Sequence, residues 1–236
     1  MDQEEMTTVA ENFRRVRDNV AEAAIKSGRR PEDIRLIAVT KFVDIARIRE
    51  AISAGALEVG ENRAQELTDK YDFFKENGQT VHFIGQLQLN KVKYLVGKAD
   101  LIQSADRMEA FAEINRLAVK RGIRQEVLAE VNIGDEPQKA GVSACELPEL
   151  LKKVSDMPGV LVKGLMCIPP AAGGGDAGRF FARMKELFEN IKGMEIPGIE
   201  PTVLSMGMSG DYTCAIAEGS DMVRVGTAIF GARPRH

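Results

Sequence analysis

Apolar runs and amphipathic stripes alternate along this chain from one end to the other, and that alternation restricts the fold more than any single motif. The clearest run is Ile34-Arg35-Leu36-Ile37-Ala38-Val39-Thr40-Lys41. Rich in branched residues and without regular polar positions, it reads as a strand buried on both faces of a parallel sheet and ending on a lysine. Upstream, Val9, Phe13, Val16, Val20 and Ala24 fall on one helical face, with Gly28 as cap and Pro31 as stop. Downstream, residues 43–54 read as a helix closed by Gly55. The unit then recurs. Strands are predicted over 57–62, 80–86, 101–105, 125–133, 160–168, 202–206 and 222–230, with helices over 63–77, 90–96, 107–121, 147–154 and 179–191 and another starting at Asp211. No linker or composition shift interrupts the series, so the pattern predicts a single (β/α)8 TIM barrel over residues 1–236, preceded by an extra N-terminal helix. Such a barrel sets strand eight beside strand one.

Composition removes several alternatives. A net charge of -3 and a pI near 5.6 argue against a nucleic-acid-binding surface, which needs a basic face. Cys145, Cys167 and Cys214 are far apart and odd in number, so neither a disulfide framework nor a CxxC site is indicated, and a reducing cytoplasm fits. The acidic start Met1-Asp2-Gln3-Glu4-Glu5 does not resemble a signal peptide, and no apolar run is long enough to cross a bilayer.

Chemistry in a barrel sits where the strands end. Lys41 ends the first strand, and alternation places it on the face of Ile37 and Val39, while Arg224 shares a face with Met222 and Gly226. Either Arg224 joins Lys41 in the mouth, where two cations need something acidic or electron-rich between them, or it points outward and pairs with Asp221 or Glu218. The turns Ser205-Met206-Gly207-Met208-Ser209-Gly210 and Gly226-Thr227 follow strands seven and eight, the usual phosphate cradle of barrels, although glycines there also serve tight turns. Asn62 closes strand two and either reaches the mouth or caps the next helix. His82 lies within strand three, without the partner cluster that metal binding needs. Tyr71, Tyr94 and Tyr212 fall in predicted helices, away from the mouth.

One tempting motif fails on context. Gly173-Gly174-Gly175-Asp176-Ala177-Gly178 matches G-x-G-x-x-G, but Pro169-Pro170-Ala171-Ala172 separates it from the strand and Glu195 lies in a Pro-Gly-rich loop. A dinucleotide fingerprint needs a tight strand-to-helix turn, so a loop over the mouth is expected instead.

Taken in order, Ala38-Val39-Thr40-Lys41, Gly60-Glu61-Asn62, His82-Phe83-Ile84-Gly85, Gly164-Leu165-Met166, Leu204-Ser205-Met206-Gly207-Met208-Ser209 and Val223-Arg224-Val225-Gly226-Thr227-Ala228-Ile229-Phe230-Gly231 resemble the pyridoxal phosphate homeostasis protein family. The resemblance spans nearly the whole chain and departs from the family's usual wording at Gln86 and Leu89. It implies an alanine-racemase-like barrel that binds pyridoxal 5′-phosphate (PLP) as a Schiff base on Lys41. It further implies Arg224 at the pyridine nitrogen, Ser205, Met206, Ser209, Gly226 and Thr227 at the phosphate, Asn62 near the ring hydroxyl, and His82 and Met166 lining the pocket.

An arginine at the ring nitrogen disfavours the electron-sink chemistry of PLP enzymes. Alanine racemase also uses a tyrosine completed by another domain and subunit, which this sequence does not offer. The expectation is therefore a monomeric, non-catalytic PLP-binding protein serving vitamin B6 and amino-acid homeostasis, with apo-forms of PLP-dependent enzymes as implied partners. A weak racemase or other PLP enzyme is the alternative, and a cofactor-free Schiff-base aldolase a more distant one.

Overall fold

In a computed structural model, which describes residues 7–170 and 177–232, eight parallel strands form a closed barrel in chain order. They are β1 (Arg35–Val39), β2 (Glu58–Glu61), β3 (Thr80–Phe83), β4 (Leu101–Ala105), β5 (Gln125–Val131), β6 (Val160–Cys167), β7 (Ile199–Ser205) and β8 (Met222–Val225). Closure pairs Arg35 with Met222 and Ile37 with Arg224 across the β1–β8 seam. The expected neighbours are thus joined, and the register sets Arg224 one strand away from the run that leads to Lys41.

Helices α1 (Val9–Lys26), α2 (Ile45–Ser53), α3 (Ala64–Glu76), α4 (Met108–Lys120), α5 (Leu147–Val154), α6 (Ala177–Gly193), α7 (Tyr212–Ala217) and α8 (Thr227–Phe230) surround the sheet, with a short 3-10 turn over Leu89–Tyr94. The first of these is the extra helix. Thr8 and Glu11 form a reciprocal capping box at its start, and Val9, Phe13, Val16, Val20 and Ala24 are buried as the stripe requires.

Two parts make up the core. Ile37, Leu101, Leu128, Met166 and Met222 pack in the lumen, while a much larger shell of Val, Ile, Leu, Phe and Ala side chains fills the space between strands and helices. Alternate strand residues supply the two layers.

Three strand boundaries differ from the sequence reading by three residues or more. β8 ends at Val225, because the Gly226 carbonyl accepts from Ile229 and Phe230 N–H (3.0 and 2.8 Å) and turns the chain into α8. β7 begins at Ile199, ahead of Pro201, where the β6–β7 register also shifts. β3 ends at Phe83, so Ile84 to Gln86 belong to the loop above it. The glycine run from Gly173 lies mostly in residues 171–176, outside the described residues.

Candidate functional site

Lys41 stands just beyond β1, and α3 holds the backbone on both sides of it. Lys70 Nζ donates to the Thr40 carbonyl (2.9 Å), to Glu61 Oε1 (2.8 Å) and to Glu66 Oε2 (3.1 Å). Glu66 Oε2 in turn accepts the Phe42 N–H (2.7 Å), and Thr40 Oγ1 donates to Glu61 Oε1 (2.7 Å). The peptide units before and after Lys41 are therefore tied to one ion pair. Phe42 has φ +60°, a left-handed conformation costly for a bulky side chain, and its ring lies under the Arg63 guanidinium at 4.5 Å. Burial raises the Glu61 carboxyl above its ordinary range, against the pull of Lys70.

A cavity of about 480 Å3 opens at the C-terminal end of the strands. Lys41 and Arg224 both line it, with Asn62, Gly85 and Gln86 on one side and Met208, Ser209, Gly210, Gly226 and Thr227 on the other. Arg224 points inward. Its Nη1 donates to Ser205 Oγ (2.6 Å) and its Nη2 to the Cys167 carbonyl (2.9 Å), while Asp221 instead takes Arg29 (2.6 Å). The outward pairing of Arg224 is thereby ruled out. Burial works against its charge, opposed by Cys167, Glu130 and Asp211.

The two turns form a single cradle because Ser209 joins them. Its Oγ accepts the N–H groups of Gly226 (3.2 Å) and Ala228 (3.3 Å), which leaves the hydroxyl proton available to a ligand. Among the described residues, no acceptor meets the N–H groups of Ser209, Gly210 or Thr227. Gly207, at φ +96°, makes the turn possible, since an added Cβ would come within 2.6 Å of Ala215 Cβ. Across the cavity, Asn62 Oδ1 is buried without a hydrogen-bond partner. An anion at the cradle and a hydroxyl or phenolate near Asn62 would satisfy these groups, so the residues fit a phosphorylated pyridoxal with its aldehyde toward Lys41.

Six of the expected site residues, Lys41, Asn62, Ser209, Arg224, Gly226 and Thr227, come together at this cavity. The other four, Ser205, Met206, His82 and Met166, are fully buried and lie beneath or behind its wall. Ser205 has its hydroxyl engaged with Arg224 and Gln103, and the Met206 N–H is spent on the Met222 carbonyl (3.1 Å), so neither offers those groups to a phosphate. Met166 packs in the lumen cluster, and His82 lies between Glu58 (2.9 Å) and Gln103 (3.1 Å) rather than lining the pocket. Glu66, Lys70 and Gln103 escaped the sequence reading. Gln103 carried a signal, being polar on the same strand face as Leu101, whereas Glu66 and Lys70 look like any exposed i,i+4 pair on a helix.

Comparison with known proteins shows the family and the fold. The family described as alanine racemase, N-terminal domain, matches residues 11–234. Proteins named pyridoxal phosphate homeostasis protein from Aquifex aeolicus and Escherichia coli are 40% and 39% identical, over 94% and 97% of this chain and 97% and 98% of theirs. The chain belongs to the pyridoxal phosphate homeostasis protein family. Within reach of that family's fold, the Synechococcus elongatus protein PipY, solved with PLP bound, is 33% identical with a TM-score of 0.78, covering 90% of this chain and 100% of that one. An alanine racemase from Clostridium difficile shares the fold alone, at 14% identity and a TM-score of 0.71 over 95% of this chain and 57% of its own.

Proposed function

We propose that this homeostasis-family chain binds PLP as a Schiff base on Lys41 and holds it for exchange rather than turnover, so that it buffers vitamin B6 and through it amino-acid metabolism. The observation that carries this reading is the convergence of Lys41, Arg224 and the Ser209-linked cradle on one cavity. When bound, the cofactor supplies an aldehyde that an amine can attack and an electron-withdrawing ring. Ser209, Gly210 and Thr227 hold the phosphate through N–H and hydroxyl donors. Arg224 donates toward the ring nitrogen and, having no proton it can give up at ordinary pH, does not protonate it. A ring left unprotonated is a weaker electron sink, and the naming of the relatives as homeostasis proteins supports a holder over an enzyme.

Incubation with PLP is expected to give the purified protein a visible absorbance band that is lost in Lys41→Ala. A wild type that stays colourless overturns the binding reading. The carrier role has a separate test, in which exchange of the α-proton of alanine and other amino acids in deuterated water is expected to be negligible. Rapid exchange by the wild type, absent in Lys41→Ala, makes the protein an enzyme. We further assign a monomer, which light scattering checks.

A further inference from the structure

Below the cavity, a line of buried polar side chains runs down the lumen past the apolar cluster of Ile37, Leu101, Leu128, Met166 and Met222. Ser205, Gln103 and His82 are fully buried and Arg224 nearly so. We infer that Ser205, Gln103, His82 and Glu58 are positioning residues for Arg224, joined in a one-way line of hydrogen bonds that fixes the guanidinium and places the His82 proton on Nε2.

The direction of each bond follows from the guanidinium at the top of the line and from the orientation of the Gln103 amide. A guanidinium can only donate, so Ser205 Oγ accepts from Arg224 Nη1 at 2.6 Å. The single Ser205 proton then goes to Gln103 Oε1 at 2.7 Å. That contact turns Gln103 Nε2 the other way, toward His82 Nδ1 at 3.1 Å, with a second contact to Met222 Sδ at 3.1 Å. Because Nδ1 accepts, the imidazole proton sits on Nε2 and is donated to Glu58 Oε2 at 2.9 Å. Arg35 Nε closes the line on Glu58 Oε1 at 2.8 Å.

A protonated His82 would set Nδ1–H against the Gln103 amide donor, so the line requires a neutral imidazole. The charges facing His82 are Glu58, Arg35 and Asp100, and burial outweighs the pull of Glu58 in holding the imidazole below its ordinary range. Burial likewise raises the Glu58 carboxyl, but donation from His82 and Arg35 outweighs it and keeps Glu58 ionised.

Two consequences reach the cavity. Anchored at Ser205 Oγ and at the Cys167 carbonyl, the guanidinium meets a ligand already oriented, and less rotamer entropy is lost on binding. Arg224 serves the site as a fixed donor, and one of its N–H groups on the ring nitrogen of a bound cofactor would occupy the lone pair that a proton needs. This last step rests on the PLP reading above, whereas the bond directions do not.

The experiment therefore begins on the protein without cofactor. With only two histidines in the chain, the 15N resonances of His82 are resolved in His236→Ala. They are expected to show the neutral Nε2–H tautomer and no titration between about pH 5.5 and about pH 8. An Nδ1–H tautomer, or titration within that range, overturns the proposal whether or not PLP binds.

In Gln103→Glu, a carboxylate that only accepts replaces the amide donor, and the proton is expected to move to Nδ1 or His82 to become charged. An unchanged Nε2–H signal in the folded variant also overturns the proposal. After PLP loading, Ser205→Ala is expected to weaken retention by about threefold to tenfold, the size of one lost hydrogen bond, and to shift the 15N resonance of the cofactor's ring nitrogen. Ser205→Thr is expected to restore both. A merely structural serine would lower stability and leave the ring resonance in place, which counts against the positioning role.

Discussion

Glu130, inward on β5, is 6% exposed, and among the described residues nothing hydrogen-bonds its carboxyl. Burial pushes it up to about 7, with Asp106 adding to the shift and Arg224 opposing it. The sign for stability follows directly. Between the ordinary carboxyl value of 4.5 and about 7 the folded protein holds a proton that the unfolded chain releases, so stability falls as pH rises through this window. The penalty is complete above about 7 and amounts to about 3 kcal/mol at most. Glu130→Gln is expected to match the wild type near about pH 4 and to be more stable by up to about 3 kcal/mol near about pH 8. Urea unfolding at both pH values measures it, and an equal difference at both would show that titration of Glu130 has no part in it.

At the scale of elements, α3 and β1 cooperate in a way that neither local sequence reveals. The run Ile34 to Lys41 was legible because a doubly buried strand needs continuous apolar residues, and the placement of Lys41 at its end followed. Likewise the glycine-containing turns after β7 and β8 advertise tight backbone and hence available N–H groups. What sequence patterns do not carry is the far end of a long side chain. Lys70 and Glu66 reach back across the β2–α3 connection to hold Thr40 and Phe42, and Ser205 turns its hydroxyl under the cavity rather than into it. Such choices depend on three-dimensional competition for hydrogen bonds. The clamp has a measurable consequence. Lys70→Met leaves Glu61 buried without its cation and is expected to cost about 3 kcal/mol, while Glu66→Ala costs about 1 kcal/mol. Both are expected to slow capture of PLP by Lys41, read as the rate at which borohydride-trapped adduct accumulates on the Lys41 peptide. Capture at the wild-type rate in both variants would remove the clamp from any role in orienting the lysine.

On the scale of the whole molecule, barrel closure brings the first and last described helices together beside the site. α1 packs against α7 and α8, the two helices that follow the Ser209-linked turns, and against α2, which follows Lys41. Asn12 Nδ2 donates to the Ile229 carbonyl (3.2 Å) and Asn19 Nδ2 to Tyr212 Oη (3.1 Å), so this helix braces the cradle from outside. Arg47 of α2 donates to the Phe230 carbonyl, tying the Lys41 side to the same corner. The N-terminal helix is thus part of the scaffold of the site, although none of its residues lines the cavity. Phe13, 3% exposed on its inner face, is the residue whose loss separates these roles. Phe13→Ala is expected to lower the unfolding free energy by about 3–5 kcal/mol, since the ring is buried and the site cannot fully collapse. PLP at about a hundred times its dissociation constant restores about 2.7 kcal/mol by mass action if it binds only the folded chain. If α1 braces the cradle, the variant also binds PLP more weakly, and bound PLP increases hydrogen-exchange protection in α1 as well as in α7 and α8. Unaltered affinity, with protection confined to α7 and α8, would make α1 a stabilising element with no link to the site.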